Sequence, residues 1–168
     1  GKKSAKRNSP RRNYKDSLFR MVFREKKELL SLYNAINGTA YEDPEELIVT
    51  TIEDVLYMGR KNDISFLIKD VMNLYEHQSS VNPNMPLRGL IYISMLYQGY
   101  IEQNNLDIYS STLLKLPTPK YLVFYNGTIA EPDRQELRLS DSFIKREEQP
   151  DLECRAVVLN INYGHNKK

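Results

Sequence analysis

Apolar residues fall into short periodic groups along this chain, and their spacing lays out its elements. From Asp16 a helical stripe of Leu18, Phe19, Val22 and Phe23 is followed by a second stripe of Leu29, Leu30, Leu32, Tyr33 and Ile36. The charged stretch 24–27 between them predicts a bend or two short helices, and Asn37-Gly38 supplies the stop signal. Asp43-Pro44 marks a turn. Its Asp43 to Glu46 spacing resembles a capping box, but the β-branched run 47–52 that follows favours a strand over a helix. Two further apolar runs, 64–68 and 72–77, are separated by Lys69, Asp70 and Val71. Pro86 is well placed to open a helix through Leu87, Leu90, Ile91, Tyr97 and Ile101 that closes near 103–105. Residues 121–125 read as a buried strand ending at the Asn126-Gly127 turn, residues 137–139 as a short strand, and 156–161 as the last strand.

Helices early and in the middle, with strands after the first helix and again late, predict an α/β domain of the mixed, α+β kind. The chain of 168 residues has the length of one domain, here 14–168, preceded by a basic arm over 1–13. Hydrophobic residues make up 40%, enough to build a core, so wholesale disorder is excluded. Cys154 is the single cysteine, which excludes a disulfide framework. No apolar run reaches the roughly 18–20 residues that span a bilayer, and the basic N-terminal stretch lacks the apolar region of a secretory signal. The expectation is a cytoplasmic protein with no membrane partner.

The net charge of +2 hides an asymmetry. Lys2, Lys3, Lys6, Arg7, Arg11 and Arg12 stand together with no acid among them, so the remainder of the chain is net acidic. Such an arm is either a solvated terminus or a phosphate contact that needs no fold of its own. The 12 tyrosines are read as sheet packing rather than as a base-stacking platform.

The two central runs carry the candidate chemistry. If they pair as a hairpin about a two-residue Lys69-Asp70 turn, Ile68 faces Val71 and Asp63 falls directly opposite Glu76. Directly opposed residues have Cβ atoms about 4.5–5.5 Å apart on one face of a sheet. Gln78 shares that face, and His77 points away. Two carboxylates so close repel each other, and a hard divalent cation with oxygen ligands, Mg²⁺ or Mn²⁺, removes the conflict. A slip of one residue would send the two acids to opposite faces, and Lys69-Asp70 is not a preferred hairpin pair. The plain alternative is two exposed acids on edge strands. A zinc site from Cys154, His77 and His165 lacks ligand spacing, and the Asn-Gly-Thr sequons at 37 and 126 are turn chemistry.

An Asp on one strand and a Glu-x-Gln on the next resemble the core of PD-(D/E)xK nucleases. The segments Lys15-Asp16-Ser17-Leu18-Phe19-Arg20, Asn62-Asp63-Ile64-Ser65-Phe66, Glu76-His77-Gln78-Ser79-Ser80, 82–89 (NPNMPLRG), 123–127 (VFYNG) and 159–166 (LNINYGHN) follow one another in order. Together they resemble the Rpn-type recombination-promoting nucleases, also described as PD-(D/E)xK nuclease family transposases, over residues 15–168. The resemblance implies a restriction-endonuclease-like core, a mixed sheet flanked by helices, and Mg²⁺- or Mn²⁺-dependent endonuclease cleavage of DNA in a mobile-element or recombination context. It implies Asp63 and Glu76 as metal ligands, the main-chain carbonyl of His77 as a third, and Asp16 as an acid completing the cluster, or else a helix N-cap. Gln78 stands where many members carry a catalytic Lys; an amide orients water or a phosphate oxygen but supplies no charge. Arg88, Lys61 and Lys69 are the DNA-contact candidates, with Arg88 reading equally as an exposed helix residue in a local salt bridge. Similar proteins continue into a helical C-terminal part, so a shortened member or fragment is expected. The alternative function is a catalytically inactive DNA-binding or interaction domain that retains the nuclease fold.

Overall fold

The computed structural model describes residues 25–50 and 63–165. Helix α1 (Lys26–Asn37) begins within the charged stretch, just after Glu25, and buries Leu29, Leu30, Leu32 and Tyr33. It stops where the sequence indicates, because Gly38 adopts φ 64°, a left-handed conformation that glycine takes without a Cβ clash. A 3₁₀ turn at Pro44–Glu46 follows, capped by the Asp43 side chain accepting from the Glu45 N–H. Strand β1 (Leu47–Val49) comes directly after, so the cap signal and the β-branched run each specify a short element in succession. The first helical stripe, Asp16 and Lys61 lie outside the described residues.

Strands β2 (Asp63–Ile68) and β3 (Val71–Gln78) form the central hairpin. Helix α2 (Met85–Gln103) then crosses to β4 (Thr118–Tyr125). Edge strand β5 (Arg134–Arg138), a 3₁₀ turn at Leu139–Ser142 and β6 (Arg155–Asn160) complete the order. The strands described make one six-stranded mixed sheet in the order β1-β2-β3-β4-β6-β5, with β3, β4 and β6 mutually parallel. Both helices pack on this sheet, one to each face, as the mixed α/β expectation required. The short strand expected at 137–139 begins earlier and ends at Arg138; Leu139 already belongs to the turn.

Period-two alternation divides the sheet residues between two cores. Ile64, Phe66, Ile68, Tyr75 and Phe124 face α1. Met72, Leu74, Tyr121, Val123, Tyr125, Ala156 and Val158 face α2, with Met85, Tyr92 and Leu96. On the α1 side, Tyr33, Phe66, Tyr75 and Phe124 run edge-to-face with ring centroids 6.1, 5.0 and 5.3 Å apart, a favoured arrangement of aromatic quadrupoles. Of the described tyrosines, Tyr75, Tyr121 and Tyr125 are buried in the sheet and Tyr33 and Tyr92 in the helices against it, whereas Tyr109 and Tyr163 are exposed.

Candidate functional site

The hairpin has the register that the sequence argument requires. Ile68 pairs with Val71, Ser65 with Leu74, and Asp63 with Glu76. Lys69 absorbs the tight turn by taking φ 52°, which a non-glycine residue adopts at some cost. Asp63 opens β2 and Gln78 closes β3, so Asp63, Glu76 and Gln78 gather at the end of the hairpin away from the turn. All three belong to the face that carries Leu74 and Met72 and packs on α2.

These acids are not edge-strand residues. β2 and β3 are inner strands, and Asp63 and Glu76 are only 5% and 1% exposed. Burying a carboxylate carries a large desolvation penalty unless charge or hydrogen bonds answer it. For Glu76 the answer comes from two directions. Arg88, in the first turn of α2, donates from Nη2 to Oε1 at 2.8 Å, and Tyr121 on β4 donates from Oη to Oε2 at 2.5 Å. Burial, and then the Glu76 charge, push the Tyr121 phenol well above its ordinary value, so it keeps its proton and acts as the donor. Gly89 makes this contact feasible: a Cβ at that position would stand 2.2 Å from the Tyr121 ring, so only glycine lets the ring lie against the helix.

Gln78 is 7% exposed, and its Nε2 has no hydrogen-bond partner. A buried amide donor in that state is ready to take an acceptor oxygen. His77 is 2% exposed and, by the alternation of the strand, belongs to the opposite face of the sheet from Glu76, as expected. Lys69 lies at the hairpin turn, six residues along the strand from Asp63 and so about 20 Å from it. There its Nζ pairs with Glu46 at 3.1 Å and sits 5.5 Å over the Tyr41 ring.

At the neighbouring strand ends the asparagines hold backbone together. Asn160 Nδ2 donates to the Glu131 carbonyl at 2.8 Å, and Asn162 Nδ2 donates to the Gly127 carbonyl at 3.0 Å. His165 pairs with Asp133. These bonds tie strand ends and turns together. Among the described residues no group of three or more His, Cys, Asp or Glu side chains gathers anywhere, which leaves the zinc idea without a site and leaves Asp63 and Glu76 as a pair.

The pair fits a hard cation by the chemistry of its donors. Asp63 and Glu76 set two carboxylates opposite each other, and Arg88 pairs with Glu76. The Glu76 oxygens, each engaged once, still have lone pairs, since a carboxylate offers about four acceptor sites. Sequence reasoning missed Tyr121, which carried no signal beyond its place in an apolar strand. It also missed the function of Gly89, for which a lone glycine inside a helical pattern was the available signal. Comparisons with family models, curated proteins and solved structures gave no match. Among the described residues no helix is long and apolar enough to cross a membrane.

Proposed function

We propose that this chain is a metal-dependent DNA endonuclease with a PD-(D/E)xK-type core, of the Rpn-type recombination-promoting class that its sequence resembles. The observation that carries the reading is the β2–β3 register: it sets Asp63 opposite Glu76, both buried, with Gln78 on the same face. Asp63 and Glu76 would hold Mg²⁺ or Mn²⁺, with the His77 main-chain carbonyl as a third ligand. Bound there, the cation supplies Lewis-acid polarisation of a phosphodiester and a lowered pKa for a coordinated water. The chain's own residues do the rest. Gln78 Nε2 orients the attacking water or a non-bridging oxygen, Tyr121 fixes the Glu76 carboxylate, and Arg88 brings positive charge to the mouth of the site. The basic arm contributes salt-sensitive affinity for the DNA backbone.

Cleavage of supercoiled plasmid tests this. Nicking with Mg²⁺ or Mn²⁺ is expected, with loss on chelation and a drop of at least about 100-fold in Asp63→Ala, the scale on which a metal-dependent step depends on its ligand. A second reading is favoured by Arg88 and Tyr121 already engaging both Glu76 oxygens and by Gln78 in place of a lysine: a DNA-binding domain without chemistry. Retained DNA binding with no cleavage in either metal would establish that second reading instead.

A further inference from the structure

The Arg88–Glu76 pair is asymmetric in a way that bears on how the site works. The Glu76 side chain is 2% exposed, whereas that of Arg88 is 20% exposed. Glu76 is fixed from a strand inside the sheet and tied by its other oxygen to Tyr121, whose ring is trapped against Gly89. Arg88 reaches in from the first turn of α2 on a flexible stem and has a route back to water. Of the two partners, only Arg88 is free to leave. Its departure would leave an oriented, buried carboxylate with Oε1 open and a second carboxylate, Asp63, opposite.

We infer that Arg88 is a latch: its guanidinium occupies, on Glu76 Oε1, the place a divalent cation takes, and the two compete for that oxygen. The inference rests on the cation-binding reading of Asp63 and Glu76 given above. In the absence of a divalent cation, Arg88 neutralises the buried acid and holds the first turn of α2 against β3. When the cation binds, Arg88 is displaced to the mouth of the site, where its planar fork suits the non-bridging oxygens of a phosphate. One side chain thereby serves the empty site as counter-ion and the loaded site as anion contact, and anion binding follows cation binding. Arg88 is a positioning residue in this scheme, because it acts through Glu76 until it is released.

The test uses the full chain and Mg²⁺ alone, with no DNA. In the wild type, the Arg88 guanidinium NMR signals should move from a hydrogen-bonded to a solvent-exchanging state as Mg²⁺ saturates, while the Tyr121 hydroxyl contact persists. In Arg88→Met, which keeps the length of the stem and removes the charge, calorimetry should find Mg²⁺ bound about tenfold more tightly, the scale of one charge-assisted hydrogen bond. Arg88→Lys, which restores a charge, should return the affinity towards the wild-type value. If Arg88→Met does not fold without cation, the wild-type NMR titration still decides. Saturable Mg²⁺ binding with the Arg88 signals unmoved would overturn the latch and leave the cation site standing. No Mg²⁺ binding by wild type or by Arg88→Met would overturn the cation site and the latch with it.

Discussion

Tyr121 shows how one side chain serves both packing and chemistry. Its ring belongs to the α2-facing core, and its hydroxyl spends its donor on Glu76. Tyr121→Phe keeps the ring and removes only that bond, leaving a buried carboxylate oxygen short of a donor. The expected loss is about 1–3 kcal/mol in urea unfolding at neutral pH, the cost of leaving a buried acceptor without its donor. An unchanged midpoint would mean that water replaces the hydroxyl. Gly89→Ala attacks the same contact from the helix. The added methyl cannot coexist with the ring where it now lies, and overpacking of this kind costs about 1–3 kcal/mol. Combining the two substitutions should give less than the sum of their separate effects, because both act on one contact. Neither bond to Glu76 was legible in the sequence. They join residues 12 and 45 positions apart, and nothing in local periodicity says which member of an apolar strand turns its polar end towards an acid.

Elements were far more legible than contacts, and the central hairpin shows why. Its register depends on one turn and a period of two, so fixing Ile68 opposite Val71 fixes every other pair, including Asp63 with Glu76. The turn residues themselves gave the weaker signal. Lys69 accepts φ 52° although it is neither glycine nor asparagine, and its ion pair with Glu46 and contact with Tyr41 help to hold it there. Lys69→Val should therefore lose about 1–2 kcal/mol through the β-branched clash at positive φ, whereas Lys69→Asn should fall within about 0.5 kcal/mol of the wild type. Equal stability of the two variants in chemical denaturation would argue against this turn geometry. The edge strand β5 was harder to place because Arg134, Gln135, Glu136 and Arg138 give it almost no apolar face; pairing with β6, rather than burial, defines it. Beyond it, Glu153 ties the following turn to the approach of β6 by accepting from the Ser140 hydroxyl and N–H and from the Cys154 N–H. Those bonds, the Ser140 hydroxyl first, hold the Glu153 carboxyl below its ordinary 4.5. A carboxyl lowered in the folded state stabilises it above the unfolded value and loses that contribution as pH falls through the folded one. Glu153→Gln should cost at most about 1 kcal/mol at pH 7, since solvent screens a carboxylate that is only partly buried. The gap should close as pH falls through the lowered folded-state value; a gap of unchanged size in acid would remove the carboxylate as its cause.

At the scale of the molecule, the two cores leave the polar site where three parallel strands end and the first turn of α2 begins. The sheet supplies Asp63 and Glu76, and the helix supplies the compensating cation. This arrangement makes global stability a reporter of the ion. Two buried carboxylates opposed across the hairpin favour a cation that binds the folded state alone, and such a ligand stabilises by mass action. At a Mg²⁺ concentration about 100 times Kd the gain is about 2.7 kcal/mol, which for a chain of this size raises Tm by roughly 5–10 °C. Asp63→Asn keeps the shape of the side chain and removes one charge, so it relieves repulsion in chelator and weakens the response to cation. The two melting curves should therefore cross: the variant at or above the wild type in chelator, and the wild type above the variant in saturating Mg²⁺. Parallel shifts in both proteins would mean that Mg²⁺ acts on the general surface charge. The absence of any shift in the wild type would deprive the opposed acids of the ion that their register suits.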